Sequence, residues 1–341
     1  MTTSRRIRPP NSPLSALADR LDARVLAAVG SICISLSSTL VKLSGTNAET
    51  STFFRCLLAL PVLIPLAWWE RRRAAPGVRA RVVAPLVAGV LLGLDLVLWA
   101  ESIMTVGAGI ATVLVAIQVV IVPGLALLLF AERPSVRYLL AVPVMLGGIV
   151  LAGGVVGSSA FGSAPVYGTT TGALAGIAYA GYLVLLRAGT TAGTQVRSVC
   201  LATVSAGVVG LGAGLVWHGI DLAPGWPAFG WLAALALLGQ ATGWLLIAAA
   251  LPRLSASTGA ALLLVQPVGA ILAGVVVLGE RPSGLQFAGC LAVLVAVGFA
   301  SGLRPSRGVA RSANAAIERG RRGPRGRPRS VGPAVRRRPA A

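Results

Sequence analysis

The chain of 341 residues is 55% hydrophobic and only 12% charged, with a mean hydropathy of +0.81. Soluble domains carry about 25% charged residues, so the composition excludes an ordinary water-soluble globular fold for want of polar surface. The net charge of +20 would suit a nucleic-acid binder, but the basic residues sit in tails and short connectors between long apolar runs, and no nucleic-acid partner is expected.

A membrane-spanning helix needs roughly 20 mostly apolar residues, and lipid forces the backbone of such a run to bond within itself. Ten runs qualify, in chain order 25–43, 51–69, 82–104, 108–130, 137–155, 169–187, 198–218, 228–250, 256–279 and 284–303. The fold class expected is an all-α membrane protein of ten transmembrane helices. The first run follows a basic N-tail (1–24) and shows no small-residue cleavage site, so it reads as a retained span. Lys42 closes this span and Arg55 opens the second. With Glu101 at the end of the third they form a candidate outer gate, or else they snorkel to the interface.

Span three carries the outstanding residue, Asp95, near its middle. Asp95, Trp99 and Ser102 fall at i, i+4 and i+7 on one helix face. Ionisable groups at this depth are costly and commonly functional. Desolvation disfavours a charged carboxylate, so one reading of Asp95 is a site that takes and releases a proton. The other is a hydrogen-bonder that pins two helices. Gln118 lies mid-span in the fourth helix, Tyr179 in the sixth, Gln240 in the eighth and Gln266 in the ninth. Amides both donate and accept, which suits a polar solute and equally suits interhelical bonding. Trp99 and Trp244 could wall a pocket or pack against neighbours. Glu132 and Glu280 each precede Arg-Pro at a helix start, where a carboxylate suits the positive end of the helix and proline suits the first turn. Pro123, Pro143 and Pro267, with the glycines, could supply bends. The cysteines, Cys33, Cys56, Cys200 and Cys290, are scattered singly through apolar segments and read as small core residues. The single histidine, His218, lies in a connector, and no metal site or cofactor is expected.

All but three of the 30 Lys and Arg residues fall on one side of this ten-span topology when the N-terminus is placed there; the exceptions are Lys42, Arg55 and Arg281. The positive-inside rule makes that side cytoplasmic and predicts both termini inside, in the cell (plasma) membrane. The last segment, 304–341, is rich in Arg, Pro and Gly with one acidic residue, Glu318. It has no apolar face to bury and is expected to be disordered, with anionic membrane lipid as its partner.

The halves repeat. Ala-Glu-Arg-Pro-Ser at 131–135 returns as Gly-Glu-Arg-Pro-Ser at 279–283, and the same offset pairs Gln118 with Gln266 and Ala100 with Ala248. Five spans per copy reverse the second copy, which gives two inverted five-helix repeats, 25–155 and 169–303, joined by a linker at 156–168. The stretch from Trp99-Ala-Glu-Ser through Gly107-Ala-Gly-Ile-Ala-Thr to Glu132-Arg133-Pro134 resembles the EamA repeat of the drug/metabolite transporter superfamily. So does Ala248-Ala-Ala-Leu-Pro-Arg through Glu280-Arg281-Pro282, and Arg55 and the Gly172-to-Tyr182 stretch fit the same pattern. The resemblance implies gradient-driven movement of a small metabolite or drug, often export. It names no substrate, and it does not vouch for Asp95. The sequence holds no His-Glu-x-x-His, Gly-x-Ser-x-Gly or phosphate-loop motif, so an enzyme is not expected. A non-transporting membrane scaffold or sensor is the alternative, and a homodimer is compatible with either.

Overall fold

The computed structural model describes residues 21–73, 82–130, 135–155, 162–190, 194–250, 254, 262–263 and 265–300. Glu132, residues 156–161 of the expected linker, residues 256–261 and 264 of the expected ninth span and the basic tail lie outside the described residues.

Every regular element among the described residues is helical. The helices are α1 (Ala23–Ser35), α2 (Ser37–Ser44), α3 (Ala48–Arg73), α4 (Val83–Val106), α5 (Ala108–Leu114), α6 (Gln118–Phe130), α7 (Val136–Ala152), α8 (Pro165–Gly189), α9 (Gln195–Val216), α10 (Ala228–Ala234), α11 (Trp244–Ala250), α12 (Val265–Leu278) and α13 (Gly284–Ala300). Among the described residues, seven continuous helical stretches are long and apolar enough to cross a membrane, and α7, α12 and α13 are shorter apolar helices. Their outward side chains are those lipid would solvate: Leu128 is 80% exposed and Val276 79%.

Local chemistry sets the starts. Asp22 accepts a bond from the Arg24 amide at the head of α1, and the Ser135 hydroxyl accepts from the Tyr138 amide at the head of α7. Proline opens α8, where its missing N–H has no cost. The second span differs from expectation: α3 begins at Ala48 and runs 26 residues. Its prolines, Pro61 and Pro65, sit inside the helix.

Three spans are irregular near their middles. The first breaks at Leu36, between α1 and α2. The fourth tightens into a 3-10 turn at Val115–Ile117 between α5 and α6. The eighth widens into a π-helical stretch, Leu235–Gly243, between α10 and α11. Backbone inside a membrane departs from the α ladder where protein or a cavity covers it.

The packing exchanges partners between the halves. α3 lies on α9 and α7 on α13, which join the expected second span to the seventh and the expected fifth to the tenth. α4 lies along α8, third span to sixth; the counterpart is α1 against the π-helical stretch and α11, first to eighth. This is the contact pattern of two related halves about a pseudo-twofold axis. Small residues permit it. A Cβ on Gly93 would stand 2.6 Å from the Val209 Cβ and 2.9 Å from the Ala206 carbonyl oxygen, so α4 and α9 approach at backbone distance.

Glu280 crosses between the halves as well. Its buried carboxylate accepts from the Ala108 amide at 2.6 Å and the Gly109 amide at 3.3 Å. The sequence suggested that Glu280 serves the helix it precedes. The structure shows it capping α5 in the other repeat, where four backbone N–H groups lack helical partners. Gly107, at φ +95°, leaves the space: a Cβ there would meet Glu280 Oε1 at 2.8 Å. Glu70 repeats the device at the opposite end of the bundle, accepting from the Val196 and Arg197 amides at the head of α9.

Candidate functional site

A cavity of about 410 Å³ lies where the irregular spans meet. Ile34 and Ser37 flank the break at Leu36, Val115 and Ala116 come from the 3-10 turn, and Trp244 follows the π-helical stretch; all five line the cavity. Most of the wall is apolar. Besides the hydroxyls of Ser37 and Thr112, its polar members are few and come from both repeats: Arg55 from α3, Asp95 from α4, Gln118 at the head of α6, Tyr179 from α8 and Gln266 from α12. Apolar walls with a few placed polar groups are the usual make-up of a small-molecule site.

Arg55 is positioned from behind. It is 5% exposed, its Nε donates to Gln240 Oε1 at 2.9 Å, and Gln240 Nε2 donates to Thr203 Oγ1 at 3.2 Å. Its guanidinium lies 5.5 Å from the Trp99 ring centroid, within cation–π range. Asp95, also 5% exposed, shares the cavity with it, and the two charges interact electrostatically. A guanidinium and a carboxylate together lower the cost of keeping either in a low-dielectric site.

The aromatic side of the cavity is a connected cluster. Tyr179 stacks on Tyr182 at 5.7 Å between ring centroids, and Trp244 meets them at 6.0 and 6.4 Å. The cluster joins α8, in the second repeat's first span, to α11, which follows the π-helical stretch. Gln118 Oε1 is buried without a hydrogen-bond partner in the protein. A buried amide oxygen in that state is an acceptor open to a solute or a water.

The residues singled out in the sequence divide as follows. Asp95, Trp99, Gln118, Tyr179, Trp244 and Gln266 line one cavity. Gln240 is not among the lining residues and instead holds Arg55. Arg55 stands apart from Lys42 and Glu101, with which the sequence grouped it; it faces the cavity. Lys42 bonds the last carbonyls of α4, Nζ to Ile103 O at 3.1 Å and to Met104 O at 3.4 Å. Glu101 faces His218 and Tyr167. Ser102 donates to the Gly168 carbonyl and ties α4 to α8.

The profile of the EamA-like transporter family matches residues 23–154 and again 166–302. The chain belongs to the EamA-like transporter family. Its two matched stretches are two copies of the EamA repeat, so this is a multi-pass membrane protein of the drug/metabolite transporter superfamily. No individual curated protein matches it. Among solved structures, one crystal structure of another protein is similar over 84% of this chain and 98% of its own, with 18% identity and a TM-score of 0.57. That likeness shows the fold alone.

Several residues of this EamA site escape a reading of the sequence. Ser37, Thr112 and Leu263 line the cavity without a motif to mark them. Thr203 supports Gln240 from a glycine-rich helix. The one available hint was the serine-rich run around Ser35, Ser37 and Ser38, unusual within a spanning helix.

Proposed function

We propose that this chain is a ten-span secondary transporter of the cell membrane. It moves a small metabolite or drug outward through the Arg55–Asp95 cavity, coupled to a proton gradient. The observation that carries the reading is the convergence of Arg55, Asp95, Gln118 and Gln266, contributed by both repeats, in one otherwise apolar cavity beside three interrupted spans. Transporters built from inverted repeats bind solute at such a place, near the bilayer midplane at the repeat interface.

In this mechanism bundles that each mix spans of both repeats rock about the cavity, while paired helices such as α3 with α9 and α4 with α8 move together. Asp95 carries the coupling proton. When neutral it tolerates the closed, dry site; when charged it pairs electrostatically with Arg55 or draws a cationic group of the solute. Arg55, held by Gln240 and Trp99, presents its remaining N–H groups to an anionic or carbonyl group. Gln118 and Gln266 bond the neutral polar parts, and Tyr179, Trp99 and Trp244 cover the apolar part.

The excess of basic residues in the connectors favours a cytoplasmic side for the Arg71, Arg187 and Arg197 end of the bundle, and the basic composition of segment 304–341 suits anionic lipid. The test is flux in proteoliposomes. Amino acids, nucleosides and cationic drugs are screened with and without an imposed proton gradient. Uphill movement of at least one class, lost when the gradient is collapsed, is the expected result. Downhill-only movement would refute coupling, and absence of flux for every class would refute the transporter reading.

A further inference from the structure

At the end of the bundle opposite Arg71, three side chains converge that the cavity does not use. Glu49 lies in the first turn of α3, Glu101 near the end of α4, and His218 in the connector between α9 and α10. His218 Nδ1 is 3.0 Å from Glu49 Oε1 and 3.5 Å from Glu101 Oε1. One ligand atom from each residue lies within 4.8 Å of both others. We propose that these three residues form a binding site for a divalent transition cation of the zinc class.

The spacing fits the chemistry. Zinc takes histidine nitrogen at about 2.0–2.1 Å and carboxylate oxygen at about 2.0–2.2 Å, and the ligand-to-ligand edge of such a tetrahedron is then about 3.3–3.6 Å. Of the two His–Glu separations, 3.5 Å falls on that edge and 3.0 Å just below it, so small side-chain movements admit the ion. Two carboxylates neutralise a divalent charge, and the imidazole adds the nitrogen donor that favours transition metals over calcium or magnesium.

An ion pair alone leaves this cluster incomplete. The imidazole presents a single ring nitrogen to two carboxylates. The Glu49 side chain is 0% exposed, and its second oxygen, Oε2, is buried with no hydrogen-bond partner. A buried carboxylate oxygen in that state is costly, and a bound cation relieves it.

The outer contacts orient the ligands. Tyr167 OH donates to Glu101 Oε2 at 3.4 Å, which leaves Oε1 toward His218. Trp217 stacks on the imidazole at 4.8 Å between centroids. The connector is pinned just after the histidine: Asn47 Nδ2 donates to the Gly219 carbonyl at 2.9 Å, and the Asp221 amide donates to Thr50 Oγ1 at 3.0 Å. Partners of this kind fix ligand orientation in metal sites. The imidazole is 44% exposed, so the ion has an entry path, and three protein ligands leave a fourth position for water.

The three ligands belong to three segments that meet at one end of the bundle. A bound ion clasps α3, α4 and the α9–α10 connector together and slows opening on that side. This consequence rests on the transporter reading, whereas binding does not.

Zinc chloride is titrated into full-length, detergent-purified protein carrying no polyhistidine tag. Binding is followed by equilibrium dialysis, thermal unfolding and X-ray absorption. The expected result is one zinc per chain in a nitrogen/oxygen shell containing one imidazole, with a raised unfolding temperature. His218→Ala and Glu101→Gln each weaken binding by more than the roughly tenfold that loss of even an outer partner causes. His218 is in an exposed connector, so its variant tests the site without burdening the core. Undiminished affinity in both variants, no saturable binding, or a sulfur-containing shell would overturn the site. In proteoliposomes, zinc is expected to slow wild-type flux and to leave His218→Ala flux unchanged. Equal inhibition of both, or of neither, would overturn the clasp. Stoichiometric zinc binding in a protein that moves no solute would sustain the site and reject the transporter reading instead.

Discussion

Replacing Glu280 by alanine should destabilise the protein from the opposite repeat. Glu280 lies in the connector between α12 and α13, yet its carboxylate accepts from two amides at the head of α5. A hydrogen bond to a charged group contributes about 1.5–3 kcal/mol, and an orphaned buried donor costs about 1–3 kcal/mol. The helix dipole adds up to about 2 kcal/mol and overlaps with the same contacts. Allowing for that overlap, the two bonds together set the loss in Glu280→Ala at about 3–5 kcal/mol. Glu280→Gln keeps one acceptor and forfeits the charge, so roughly half that loss is expected. For chains of about 150–250 residues a kilocalorie shifts the unfolding temperature by about 2–4 °C, and for a longer chain by somewhat less, which puts the alanine variant on the order of 10 °C below wild type. Thermal unfolding in detergent, read by size-exclusion elution, measures the shift. Amide exchange at Ala108 and Gly109 locates it. An alanine variant with unchanged unfolding temperature and unchanged protection at those two amides would refute the cap.

Three further outcomes follow from the packing and the topology. Gly93→Val is expected to force α4 off α9, because its Cβ already meets Val209 and Ala206 at under 3.1 Å; overpacking costs about 1–3 kcal/mol, and a variant with wild-type unfolding temperature would contradict the close approach. Arg55→Lys keeps the charge but loses the planar group that bonds Gln240 and faces Trp99, so flux is expected to fall at least about tenfold with protein abundance preserved; near-normal flux would remove Arg55 from the site. Single cysteines at Asn47, Gly162 and Ala223 should all react with an impermeant reagent added outside intact cells, and labelling of all three only after permeabilisation would invert the topology.

Much of the architecture was legible because lipid imposes simple rules. Apolar runs marked the described helical stretches within a few residues, seven of which are long and apolar enough to cross a membrane, and the shared offset between Glu132-Arg133-Pro134 and Glu280-Arg281-Pro282 exposed the repeat. Asp95 stood out as a lone acid in the middle of an apolar run. Arg55 was misplaced for a geometric reason: α3 starts at Ala48 rather than Ser51, so the guanidinium sits about 10 Å along the helix at 1.5 Å per residue and reaches the cavity. The break at Leu36 has no proline to signal it. It accompanies close contact with the eighth span, where a Cβ on Gly243 would stand 2.6 Å from Ile34 Cγ1. The pairing of Glu49 with His218 spans 169 positions and arises only when α3 and the α9–α10 connector meet in space, so no local pattern announces it. Glu280 was read as serving its own helix because the repeat motif places it before Arg-Pro, while its true partner lies 172 positions away.

The central claim is that Asp95 carries the coupling proton in a cavity shared by both repeats. The most direct measurement compares wild-type and Asp95→Asn protein in proteoliposomes, scoring both uphill flux under an imposed proton gradient and solute exchange without one. Asparagine keeps the shape and the hydrogen-bonding of the acid and removes its proton. The expected result is loss of uphill, gradient-driven flux with exchange largely retained. Uphill flux from Asp95→Asn at the wild-type rate and with the wild-type pH dependence would contradict the account and leave Asp95 as a structural hydrogen-bonder.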